Sequence, residues 1–171
     1  MISAASTPKS VLITGANSGL GLECARQLAL LNVDRIVIGC RSQAKGTKAQ
    51  EELKAALGGK QSKTKFEVLL MDLTDIASVR KAVQTLRTPV ESLVMNAGGL
   101  GGGNPGNLTK DGVSMTVATN LLGHVAVACL RMPNTKSPLC NDSMFERTCS
   151  AAGPLPSSLQ PQASSAQMTC R

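Results

Sequence analysis

Short apolar runs alternate along this chain with stretches in which apolar residues return every three or four positions. VLIT at 11–14 reads as a short buried strand. Residues 20–31 follow with helical spacing, their apolar positions being Leu22, Ala25, Leu28 and Ala29. RIVIGC at 35–40 is a second buried strand, and 43–57 is an amphipathic helix closed by Gly58 and Gly59. FEVLLMD at 66–72 is a third strand. A helix over 76–86 comes next, with Thr74 or Asp75 as its N-cap and Pro89 beyond its end. SLVMN at 92–96 is a fourth strand, GGLGGGNPGN a loop, and 112–130 a last helical stretch. Strands alternating with helices in this way predict an α/β fold: a doubly wound, Rossmann-type parallel sheet of about four strands, covered on both faces.

The pattern stops near Pro133. Residues 128–171 contain no Val or Ile, whereas the first 127 contain 17, and the same segment holds five of the eight Pro. Buried parallel strands are rich in β-branched residues, so this segment reads as a low-complexity, disordered tail. The expected organisation is an N-terminal extension over 1–9, a nucleotide-binding domain over 10–130 and the tail over 131–171.

Composition narrows the chemistry. The chain has 171 residues, enough for one domain with a real core. It has two Phe and no Trp or Tyr, so no phenol takes part in its mechanism. The net charge of +7 is spread along the helical segments without a dense basic run, which argues against a nucleic-acid partner. The six Cys lack metal-ligand or disulfide spacing, so reduced thiols and no metal are expected. Neither a secretory signal nor a membrane span is evident, and the default expectation is a cytoplasmic protein.

The candidate chemistry begins after the first strand. Gly15, Gly19 and Gly21 have GxxxGxG spacing between a strand and a helix. Glycine permits the tight turn and lets the backbone approach a pyrophosphate, while the helix N-terminus offers free N–H groups and a favourable dipole. Alone, such a spacing also fits a plain βα turn; at the first strand of an alternating βα pattern, the expected partner is a dinucleotide. An acidic residue at the end of the second strand would bind a ribose 2′-hydroxyl. Here that position is occupied by Arg41, with Lys45 one helical turn on. A guanidinium there suits a 2′-phosphate and favours NADP(H) over NAD(H). For Lys45, decoration of an exposed helix start stands beside phosphate contact as a reading.

These residues match a pattern. TGANSGLG at 14–21 resembles the cofactor turn of the short-chain dehydrogenases/reductases, and MDLTD at 71–75 their Asp-Leu pair. MNAGG at 95–99 resembles their NNAG motif, and TNLLGH at 119–124 their NxxGH helix motif. The resemblance covers about residues 10–127. Within the family, GCRSQAKG is most similar to the NADPH-using retinol dehydrogenase and protochlorophyllide reductase types.

The resemblance implies hydride transfer between a nicotinamide and a carbonyl or alcohol, with cofactor contacts from Thr14, Gly15, Asn17, Ser18, Gly19, Leu20 and Gly21. It also implies Asp72 and Leu73 beside the adenine, and Asn96, Ala97 and Gly98 near its ribose. Asn120 corresponds to the active-site Asn. Bland readings stand beside these: Asp72 as a helix cap, Asn96 as a turn residue and Asn120 as a helix-kink residue. His124, the one His, matches a packing position.

The family's proton donor is a Tyr in a YxxxK pair, and that pair is absent here. CSAAG at 149–153 resembles the motif around the active-site Ser, which makes Ser150 its counterpart, but the residues before it do not read as a buried strand. The expectation is a truncated family member: an alternative transcript, a frameshift or a gene model leaving the pattern after about Val127. Three readings follow: the NADP(H)-binding half of such an oxidoreductase, inactive without the Tyr and Lys; a non-catalytic nucleotide-binding module; or a partly folded fragment without a function of its own. Oligomers are not expected, because the family's usual dimer elements have no counterpart.

Overall fold

The computed structural model describes residues 7–58, 63–99 and 107–131. Four strands form one parallel sheet: β1 (Ser10–Thr14), β2 (Arg35–Cys40), β3 (Lys65–Leu70) and β4 (Ser92–Val94), in the order β3-β2-β1-β4. Between them run α1 (Gly19–Leu30), α2 (Gln43–Leu57) and α3 (Ile76–Thr85). A last helical segment follows as α4 (Met115–Val117), a π turn (Ala118–Leu122) and α5 (Gly123–Arg131).

The period-two alternation of strand side chains divides the core in two. Val11, Ile13, Ile36 and Ile38 face Ala25 and Ala29 of α1 and Leu53 and Leu57 of α2. Leu12, Val37 and Leu69 face Val79 and Val83 of α3 and Ala126 and Val127 of α5. Each central strand is buried on both sides, which is why it reads as a continuous apolar run.

The strand and helix boundaries agree with the pattern to within one residue, with three exceptions. The third strand ends at Leu70, so Met71 and Asp72 lie in the turn beyond it. The fourth ends at Val94, because Asn96 turns its amide back onto β1. The last helix begins at Met115 rather than at 112. Gly112 has φ +74° and its N–H donates to Thr109 O, while the Thr109 hydroxyl accepts the N–H groups of Asp111 and Val113. That local network closes a tight turn and delays the helix.

Of the two N-cap candidates, Asp75 caps α3 by accepting the Ala77 N–H at 2.9 Å. No helix among the described residues is long and apolar enough to cross a membrane. The segment read as a tail, from 132 onward, lies outside the described residues.

Candidate functional site

The strand order reverses between β1 and β4: the chain leaves β1 toward β2 on one side, then returns to place β4 on the other. Loops diverge at the carboxyl ends of strands where such a reversal occurs, and a crevice opens there. A cleft of about 580 Å³ occupies this place.

Its first wall is the glycine turn. Thr14, Gly15, Asn17 and Ser18 line it. Gly15 has φ +69° and Gly19 φ +54°, a left-handed backbone that suits glycine. Gly19, Leu20 and Gly21 open α1 and do not line the cleft as side chains. Gly21 is buried, and packing forbids a side chain there, since a Cβ would come within 2.5 Å of the Asn96 amide nitrogen. The Ser18 side chain does not cap α1, and no acidic residue stands in its first turn. The helix therefore presents uncapped N–H groups and an uncompensated positive dipole end.

The second wall carries the cations. Arg41 and Lys45 both line the cleft, and both are exposed. Among the described residues neither has a carboxylate partner. Ser42 caps α2 by accepting the Lys45 N–H, which sets that side chain on the first helical turn. Cys40 also lines this wall; burial raises its thiol pKa, and the thiol donates to Ser42 O.

Asp72 and Leu73 lie where β3 gives way to α3, and both line the cleft. Asp72 does not cap the helix. Its Oδ1 accepts the N–H and the hydroxyl of Thr74, at 2.9 and 2.7 Å, in a local turn. Its other oxygen has no hydrogen bond among the described residues. Lys110 pairs with the capping Asp75 at 2.8 Å, and that hydrogen bond holds the Asp75 carboxyl below the usual aspartate range.

The turn after β4 contributes Asn96, Ala97 and Gly98. Asn96 donates its side-chain amide to Thr14 O at 3.0 Å and to Gly15 O at 3.4 Å. The backbone N–H groups of Asn96 and Ala97 both donate to Thr14 Oγ1, each at 3.0 Å. Asn96 is thus the strut that joins the two turns.

Asn120 sits in the π turn, outside the cleft lining but beside Thr119, which lines it. Its amide accepts the Gly99 N–H at 2.9 Å and donates to Gly99 O at 3.1 Å. The π turn interrupts the helix at Asn120, as the kink reading expects. Ser150 lies outside the described residues. Met115, Thr119 and Met71 line the cleft although no motif marked them as contacts. Thr119 opens the TNLLGH stretch, and the neighbouring Asn120, bonded to Gly99, ties the π turn to the segment after β4.

The short chain dehydrogenase family profile matches residues 9–138. Protochlorophyllide reductase, chloroplastic, from Chlamydomonas reinhardtii is 32% identical over 133 residues, covering 75% of this chain and 32% of that protein. A short-chain dehydrogenase from Sphingobium yanoikuyae, solved in complex with NADPH, matches with a TM-score of 0.54 at 26% identity, over 71% of this chain and 46% of that one. An NADH-dependent reductase, A1-R′, solved with NAD, shares the fold with a TM-score of 0.57 at 20% identity, over 72% of this chain and 51% of its own. The chain spans less than a third of the length of the curated relatives it matches.

Proposed function

Because the chain belongs to the short-chain dehydrogenase/reductase family of oxidoreductases, we propose that it binds NADP(H) in the cleft at the β1/β4 switch point and does not by itself transfer hydride. The observation that carries the binding half is the cleft's own complement of unsatisfied groups. An uncapped helix N-terminus stands at one end and an Arg41 without a carboxylate partner at the other.

Residues 10–130 act as the binding domain. The N–H groups at the start of α1, beside Gly15, Asn17, Ser18, Gly19, Leu20 and Gly21, take the pyrophosphate. Arg41 takes the 2′-phosphate as a forked donor, and Lys45 adds a second positive charge. The free oxygen of Asp72 accepts from the adenine amine, with Leu73 against the base. Thr14, Asn96, Ala97 and Gly98 form the floor between the two turns. When bound, the nicotinamide supplies the hydride chemistry of the family.

Asn120 is assigned the part of the family's active-site Asn, next to Thr119 of the cleft lining. Reduction of a carbonyl also needs a proton donor of suitable acidity near the developing alkoxide. The 171 residues contain no Tyr, and a serine such as Ser150 is too weak an acid to replace one. This supports a binding role without turnover.

The test is a fluorescence titration of the purified chain with NADPH and, in parallel, NADH. Saturable NADPH binding with weaker NADH binding is expected, and so is the absence of turnover with carbonyl substrates. Equal affinity would remove the role given to Arg41. No binding by monodisperse protein would remove the function altogether.

A further inference from the structure

His124 is the one histidine of the chain, is 4% exposed, and does not line the cofactor cleft. Its Nε2 lies 2.9 Å from Thr14 Oγ1, and its Nδ1 lies 3.4 Å from Asn120 O. The first contact reaches the end of β1 across the core; the second is within its own helical segment.

A hydroxyl has one hydrogen to give and two lone pairs to receive with. The N–H groups of Asn96 and Ala97 occupy both lone pairs of Thr14 Oγ1. A hydrogen on Nε2 would then meet an oxygen with nothing left to accept it. The Thr14 hydrogen instead has two takers, Val94 O at 3.3 Å and His124 Nε2 at 2.9 Å, and the shorter contact belongs to the imidazole.

We propose that His124 is a positioning residue: a neutral imidazole carrying its proton on Nδ1, which accepts from Thr14, donates to Asn120 O, and holds the π turn at a set distance from the end of β1. Thr14 and Ala97 line the cleft at the turns after β1 and β4. Thr119, next to Asn120, lines it from the π turn, and the Asn120 amide holds Gly99. The imidazole joins the end of β1 to the π turn without lining the cleft. Its consequence for cofactor affinity rests on the NADP(H) reading; its protonation state does not.

The experiment uses the whole chain and has two parts. Because there is a single histidine, ¹⁵N NMR of the labelled protein at neutral pH shows one imidazole only. The expected spectrum has a protonated Nδ1 and an unprotonated Nε2. A protonated Nε2, an imidazolium or an exchange-averaged pair overturns the proposal.

The second part compares His124→Gln, whose amide oxygen is able to accept from Thr14, with His124→Leu, which fills space and accepts nothing. NADPH affinity is expected to fall about tenfold in the leucine variant, the loss of one buried hydrogen bond, and to recover largely in the glutamine variant. Equal losses that track thermal stability overturn the positioning role. If the wild-type chain binds no cofactor, the NADP(H) reading fails, and the tautomer alone decides the state of His124.

Discussion

The side-chain amide of Asn96 fills the place that a Cβ on Gly21 would need, 2.5 Å away. The third glycine of the turn thus serves the contact between the β1 and β4 turns as well as the start of α1. Asn96 in turn reaches Thr14 O and Gly15 O, so the glycine turn and the β4 turn form one unit. Replacing Gly21 with Ala is expected to push Asn96 out of both hydrogen bonds. The cost is about 1–3 kcal/mol, as for other overpacked sites. Urea denaturation of G21A against wild type measures it, and NADPH affinity is expected to fall with it.

Arg41 is exposed and lines the cleft at the carboxyl end of β2. Arg41→Ala is expected to weaken NADPH binding by about tenfold or more, the worth of a charge-assisted pair with phosphate, and to leave NADH binding unchanged. Titration of both cofactors against one variant separates a 2′-phosphate contact from a general loss of the site. Equal weakening of both would assign Arg41 to folding.

Asp75 both caps α3 and pairs with Lys110. Asp75→Ala is expected to cost about 1 kcal/mol, the usual worth of an N-cap. The hydrogen bond from Lys110 is the first cause of its lowered pKa, and the cap adds to it. A carboxyl with a depressed folded-state pKa contributes stability that is fully present above its unfolded value, near pH 4, and is lost as pH falls through the folded value. The stability gap between wild type and D75A is therefore expected to hold at neutral pH and to shrink below about pH 4. Chemical denaturation at a series of pH values reads this directly.

Cys40 is 5% exposed, and burial raises its thiol above the ordinary range. A raised pKa leaves less thiolate at neutral pH, and the thiolate is the reactive form. Alkylation by iodoacetamide is expected to be slower at Cys40 than at a free thiol in solution, and to accelerate with urea. Peptide mass spectrometry of a time course assigns the rate to the residue.

Much of this is legible along the chain because it rests on local rules. Buried parallel strands need β-branched and aliphatic runs, so β1 and β2 are readable nearly to the residue. Helix spacing and caps place α2 and α3. The glycine spacing, Arg41 and the motif residues from Asp72 to Asn120 mark one end of a sheet. The last helix starts later than its spacing predicts because the delay comes from Gly112 and Thr109, a side-chain network that periodicity does not register.

What periodicity cannot state is which strands are neighbours. The sequence by itself determined the α/β class, the four strands and the glycine turn between β1 and α1, since these depend on residues close together in the chain. Only the tertiary structure decided that β4 lies beside β1, that Asn96 braces Thr14, and that His124 meets the same hydroxyl from 110 positions away. Those contacts follow from sheet order and from the depth at which α5 packs. Both are set by burial of two opposed apolar faces, which only the assembled chain has.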